Sequence, residues 1–134
     1  MKFLIKIVPL LLLSFFFVQV FSQQHAFSGE INAFKQQDKI QMPEKNAILF
    51  VGSSSFRMWT DVQNYFPDFK IINRGFGGSS LSDVIYYADD IIFPYQPKQV
   101  VIYCGENDLV EPNVDASVVY DRFKILFELI RKHY

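Results

Sequence analysis

The sequence predicts a three-layer α/β/α domain built on a parallel, doubly wound sheet. Three short runs, residues 47–51, 69–72 and 99–103, are rich in β-branched and aromatic residues. Each run is apolar almost without interruption, which indicates a strand covered on both faces, as in a parallel sheet. Helical patterns separate the runs, and this alternation predicts right-handed βαβ units.

The predicted helices fill the segments between the strands. Apolar residues recur every three or four positions over residues 56–66, 81–92 and 114–130, and a leading helix is expected around residues 30–38. Five prolines in the connections are typical of turns and helix ends: Pro43, Pro67, Pro94, Pro97 and Pro112. The chain has 134 residues and no internal repeat, which fits one domain.

The first 22 residues have the pattern of a secretory signal peptide. Lys2 and Lys6 precede an apolar run over residues 7–21, and Ser22 ends a possible cleavage site. An uncleaved anchor is the alternative, but the run is shorter than the ~20 residues that a spanning helix needs. We therefore expect a mature domain over residues 23–134 that is exported to the periplasm or outside the cell, with no stable membrane anchor.

Charge and cysteine content argue against nucleic-acid binding and against a function based on cysteine chemistry. The chain without residues 1–22 has 11 basic and 14 acidic residues, and its net charge of −3 does not attract nucleic acid. Cys104 is the single cysteine, so it forms no internal disulfide. It follows an apolar run, which predicts a buried, unreactive thiol.

Small polar residues and glycines follow all three predicted strands, in the segments 52–55 (GSSS), 73–80 (NRGFGGSS) and 105–108 (GEND). Each cluster alone has an ordinary explanation as a helix cap or tight turn. The carboxyl ends of parallel strands meet at one edge of the sheet, where ligands of such folds bind. Three clusters in succession therefore predict a functional site there.

Residues 48–109 resemble the SGNH hydrolases, also called GDSL esterases and lipases. The stretch FVGSSS is similar to the first block of that family, with Ser53 in place of the usual aspartate; INRGFGGSS and YCGENDL are similar to the second and third. The resemblance implies a flavodoxin-like sheet of which this chain holds only the first three strands.

The resemblance assigns the site residue by residue. Ser54 matches the nucleophile, Gly78 the glycine whose N–H helps to form the oxyanion hole, and Asn107 the side-chain amide of the same hole. Ser54 is also expected at a helix start, where the helix dipole favours negative charge. Ser53 and Ser55 are expected to be turn and cap residues. The implied reaction is ester hydrolysis by acyl transfer, without metal or organic cofactor.

The general base is missing from the matched blocks. The family carries an Asp-x-x-His block near its C-terminus, and this sequence contains none. His25 follows the signal peptide and His133 ends a predicted surface helix, so neither is expected to be the base. We therefore expect a truncated chain or fragment with little activity of its own.

Two other enzyme folds are excluded by spacing. Phe56 occupies the position of the second glycine in the G-x-S-x-G elbow of α/β-hydrolases. Neither the dinucleotide fingerprint nor a Walker loop occurs.

Two functions remain open: an exported esterase, and a non-catalytic module that binds an acyl or carbohydrate ligand. The expected substrate is a small ester, such as an acetylated carbohydrate. Phe56, Arg57, Trp59 and Phe76 border the predicted site, where aromatic residues are more often core than substrate contacts.

Overall fold

The fold class predicted from the sequence is confirmed. The computed structural model describes residues 25–134, so the predicted signal peptide lies outside the described residues. Three parallel strands form one sheet in the order β2-β1-β3, the order in which a flavodoxin-like sheet begins. The strands are β1 (Ile48–Gly52), β2 (Ile71–Gly75) and β3 (Gln99–Tyr103).

The predicted position of β2 was wrong by two to three residues. Phe69 lies before the strand and is half exposed. Asn73 and Arg74, whose polarity argues against a buried strand, instead extend it. Both side chains find partners inside the protein, which offsets the cost of burying them.

Helices occur where predicted, but two of them are broken. The bounds are α1 (Ser28–Ile40), α2 (Ser54–Met58), α3 (Val62–Tyr65), α4 (Leu81–Tyr86), α5 (Ala88–Ile91) and α6 (Ala116–His133). The helix predicted over 56–66 divides into α2 and α3 because Asn73 Nδ2 donates to the carbonyls of Phe56, at 2.7 Å, and Trp59, at 3.1 Å. These bonds satisfy the carbonyls where α2 ends. The helix predicted over 81–92 likewise divides into α4 and α5.

Side chains of β1 alternate between two cores. Phe50 packs with Phe56 of α2 and Val62 of α3 on one face of the sheet. Leu49 and Val51 belong to the larger core on the other face, to which α1, α4, α5 and α6 contribute. The sheet therefore lies between two helical layers.

A buried polar cluster ties α1 to the sheet. The Arg74 guanidinium lies 4.9 Å from the ring centroid of Phe34 and donates hydrogen bonds to Asp38 and to the Tyr95 hydroxyl. The Tyr95 hydroxyl in turn donates to Asp38. Burial raises the pKa of Tyr95 to about 12, so the phenol stays protonated near neutrality. The cluster thus joins α1 to β2 and to the turn before β3.

The outer side of β3 and α6 has a different character. Among the described residues, β3 pairs only with β1, and its central residues are only partly covered. Large apolar side chains of α6 are exposed: Tyr120, Phe123, Ile125 and Phe127. We call this surface the outer face.

Within residues 25–134, no helix combines the length and apolarity needed to cross a membrane.

Candidate active site

The loop after β1 is fixed tightly against the end of β3. Gly52 has φ +143°, and a Cβ at this position would lie 1.9 Å from the Tyr103 carbonyl oxygen, so only glycine fits. The next backbone N–H, of Ser53, donates to that same carbonyl at 3.0 Å. The chain then turns at once into α2.

Ser54 is the first residue of α2 and is partly exposed. Its hydroxyl makes no hydrogen bond with another protein group in the part of the chain that the structure describes. Since α2 has only five residues, its dipole is weaker than that of the longer helix predicted from the sequence. Ser54 is therefore partly accessible, and the short helix gives its hydroxyl less electrostatic assistance than the sequence predicted.

The loop after β2 crosses directly beside the first. The Ser79 hydroxyl is fully buried and donates to the Gly52 carbonyl oxygen at 3.2 Å. Gly78, one residue earlier, is exposed, and a Cβ built on it would contact only Asn107 Nδ2, at 3.9 Å. The structure therefore brings Gly78 and Asn107, two of the three predicted site residues, next to each other.

Asn107 is oriented by the second loop. Its Nδ2 donates to the Ser79 carbonyl oxygen at 3.0 Å. A side-chain amide has two N–H donors, and this bond uses one of them. The bond therefore sets the direction of the amide beside Gly78 and leaves the other N–H available to a ligand.

Asp108 anchors the third loop, a role that the sequence did not predict because the cluster at 105–108 suggested only a local turn. This side chain is fully buried, accepts from Leu81 N at the start of α4 at 2.8 Å, and pairs with Arg122 of α6 at 2.7 Å. Arg122 also contacts Glu111 at 2.9 Å, which raises the pKa of the guanidinium and lowers that of Glu111. The third loop is thereby anchored to two helices.

Ser53 also differs from its predicted role. It occupies the cap position of α2, but its hydroxyl does not bond to the helix. Instead, the buried hydroxyl donates to Glu106 Oε1 at 2.6 Å, across to the loop after β3. Glu106 was not predicted, and its position between Gly105 and Asn107 is the only sequence signal. Ser55 is exposed in the first turn of α2.

Neither histidine lies among these loops. The His133 ring stacks on Phe93, with ring centroids 3.9 Å apart, and Phe93 precedes β3, at the opposite edge of the sheet. The His25 ring stacks on Tyr86 at 3.7 Å, where α4 ends, whereas the site lies where α4 begins. Both rings therefore lie away from the three loops at the carboxyl edge of the sheet.

Three other residues that the sequence placed at the border of the site contact other parts of the protein. Phe56 and Phe76 are buried core residues, and Arg57 pairs with Glu30 at 3.6 Å. Cys104 is partly rather than fully buried; burial raises the pKa of its thiol to about 12, which makes it unreactive near neutrality. Within residues 25–134, no three His, Cys, Asp or Glu side chains are grouped so that they could hold a metal ion.

The fold is shared with solved structures. No family model and no curated protein matches the chain. A structure from Streptococcus pneumonia that carries the provisional name platelet activating factor superposes on it with a TM-score of 0.65 at 20% identity. The match covers 79% of this chain and 49% of the other, so the chain spans about half the length of this neighbour. At this identity, the likeness establishes the fold.

Proposed function

We propose that the protein is a serine ester hydrolase of the SGNH type. Ser54 is the nucleophile, and the Gly78 N–H and the Asn107 amide form the oxyanion hole. The observation that supports the proposal is the closeness of Gly78 and Asn107, which lie on the loops after β2 and β3. A Cβ built on Gly78 would lie 3.9 Å from Asn107 Nδ2. These residues come from three separate strand ends, and the resemblance assigned the same three.

The chemistry follows from these groups. Ser54 Oγ attacks the ester carbonyl carbon, the carbonyl π electrons move to oxygen, and the two N–H donors stabilise the resulting oxyanion. A base accepts the hydroxyl proton. When the tetrahedral intermediate collapses, the C–O bond to the alcohol breaks, the alcohol leaves with a proton, and the acyl group stays on Ser54. Attack by water on this acyl-enzyme releases the acid and restores the serine.

The proposed substrate is a small ester, such as an acetyl group on a carbohydrate. The proposal includes export after cleavage of residues 1–22, since Lys2, Lys6 and the apolar run have the pattern of a signal peptide. Mass spectrometry of the exported protein should give a first residue at Gln23, and a chain that still begins at Met1 would contradict export by cleavage.

Chemical rescue tests the nucleophile. Because both histidines contact other groups, we expect the chain alone to hydrolyse p-nitrophenyl acetate slowly. Added imidazole supplies a base from solution and should produce acetyl-Ser54, detected by mass spectrometry of peptides. Ser54→Ala should show only the background rate of imidazole, while Ser55→Ala, the matched neighbour, should behave like the unmodified chain. Equal rates for Ser54→Ala and the unmodified chain would refute the proposal.

The position of the two histidines favours a second candidate, a non-catalytic module that holds an acyl group in the same pocket. In that case, acetate or a methyl ester should shift the Asn107 side-chain amide signal in nuclear magnetic resonance spectra, and Ser54 should remain unacetylated at any imidazole concentration.

A further inference from the structure

We propose that Ser53 and Glu106 form a positioning pair that holds the oxyanion donor Asn107 beside the nucleophile. The inference rests on the proposed function and adds two residues to it. Ser53 directly precedes Ser54, and Glu106 directly precedes Asn107. The 2.6 Å hydrogen bond between Ser53 and Glu106 therefore also links Ser54 to Asn107 through the backbone.

Ser53 is a rigid point from which to make this bond. Its backbone N–H donates to the Tyr103 carbonyl, and its own carbonyl accepts from the N–H groups of Phe56 and Arg57, at 3.1 and 3.2 Å. The residue has no exposed surface. Because backbone bonds and burial fix Ser53 on all sides, its hydroxyl determines where Glu106 lies rather than the reverse.

Glu106, by contrast, is itself exposed, although Gly105 and Asp108 in the same loop are buried. Gly105 before it has φ +126°, a conformation that L side chains rarely adopt, so the chain turns sharply there. A carboxylate in such a loop would ordinarily remain in water. Here it accepts a short hydrogen bond from a buried hydroxyl, and bonds to an ionised acceptor are about twice as strong as neutral ones.

Asn107 is therefore held through both of its chain neighbours. Glu106 is bound to the first loop through Ser53, and Asp108 is bound to the start of α4 through Leu81 N. The amide itself donates to the Ser79 carbonyl. One bond from the Asn107 side chain and one at each of its chain neighbours thus hold this residue against the first loop, the second loop and the start of α4. An oxyanion donor has to be held in this way before the reaction begins.

Position 53 differs from the pattern that the resemblance implies, because this chain has a serine where an aspartate is usual. In this chain the carboxylate between the first and third loops comes from Glu106, which accepts from the Ser53 hydroxyl.

A double-mutant cycle tests the pair on the full chain. The variants are Ser53→Ala, Glu106→Ala and the double variant, with Glu106→Gln, which keeps an acceptor oxygen, as the conservative change. Two quantities are measured: the side-chain amide signal of Asn107 without substrate, and the imidazole-assisted rate of Ser54 acetylation. Glu44→Ala, an exposed acid in a surface ion pair with Lys70, is the control.

We expect each alanine variant to shift the Asn107 signal and to lower the acetylation rate about tenfold, less than the ~10²-fold or more that loss of an entire donor costs. The double variant should be no worse than either single variant, because both remove the same bond. Glu106→Gln should recover most of the rate, and thermal melting of Glu106→Ala should stay close to that of the unmodified chain.

An unmoved Asn107 signal, or effects of the two single variants that add, would overturn the pair. A third outcome is that Ser54 is never acetylated while the Asn107 amide signal shifts in both single variants and shifts no further in the double variant. In that case the positioning pair stands and the proposed function fails. If acetylation is normal in all variants, the proposed function stands and the positioning pair fails.

Discussion

The loops at the carboxyl edge of the sheet and the outer face of β3 and α6 are built in opposite ways. At the edge, polar side chains such as Ser53 and Asp108 are fully buried, and each has a partner. On the outer face, large apolar side chains such as Phe127, 52% exposed, face away from the core. The first arrangement costs stability to bury polar groups and gains a defined geometry, whereas the second leaves apolar surface uncovered.

The contrast shows where each region should be sensitive to mutation. Side chains in the edge loops are held by specific distances, so small changes there should be costly. Side chains on the outer face have room around them, so large changes there should cost little.

The largest effect is expected for Gly52→Ala. The new methyl group would meet the Tyr103 carbonyl at 1.9 Å with a backbone that alanine rarely adopts, so we expect a loss of about 4 kcal/mol or more in the free energy of unfolding. Gly29→Ala is the matched control, because no atom lies within 4 Å of a Cβ there. Urea denaturation measures both, and equal losses would show that the edge loop is not tightly fixed.

A smaller loss of stability is expected from mutations in α6, and its size should differ sharply between two adjacent residues. Leu126 is fully buried, and Leu126→Ala should cost about 3 kcal/mol. Phe127, its neighbour, is half exposed, and Phe127→Ala should cost less than about 1 kcal/mol although it removes more atoms. Urea denaturation of the two variants decides this. A Phe127→Ala cost near that of Leu126→Ala would mean that the outer face is covered in solution.

The smallest effect concerns acid stability. Hydrogen bonding to Arg122 lowers the pKa of Glu111 below its ordinary 4.5. A pKa that is lower in the folded state stabilises the fold above the unfolded value, and this contribution is lost as the pH falls through the folded value. Because Glu111 is partly exposed, we expect less than about 1 kcal/mol.

Thermal melting between pH 6 and pH 3 checks this expectation. Glu111→Gln should melt below the unmodified chain at pH 6, and the difference should shrink towards pH 3. Glu128→Gln, whose carboxylate lies 3.9 Å from Lys124 on the surface, serves as the control. A difference that does not change with pH would show that the charge of Glu111 contributes nothing.

The fold was predictable because its signals are local. Apolar runs marked all three strands, and the alternation of strand and helix implied parallel pairing. The approach of Gly78 to Asn107 followed from the rule that strand ends meet at one edge. These inferences need only composition and order along the chain.

The details that failed depend on contacts between distant residues. Asn73 ends α2 from 14 to 17 positions away, and Asp108 binds the start of α4 from 27 positions away. The bond between Ser53 and Glu106 spans 53 positions. The periodicity of a sequence does not predict such partners, because a polar residue fits the pattern equally well whether its side chain faces water or a buried donor.

The cluster of Arg74, Asp38 and Tyr95 has a consequence for the order in which the chain folds. Asp38 meets partners 36 and 57 positions later, so α1, although first along the described chain, cannot complete its attachment until the segment up to residue 95 has formed. Closing loops of this length costs entropy before the contacts repay it. During synthesis the leading helix therefore cannot complete these bonds before β2 and the turn before β3 have been made.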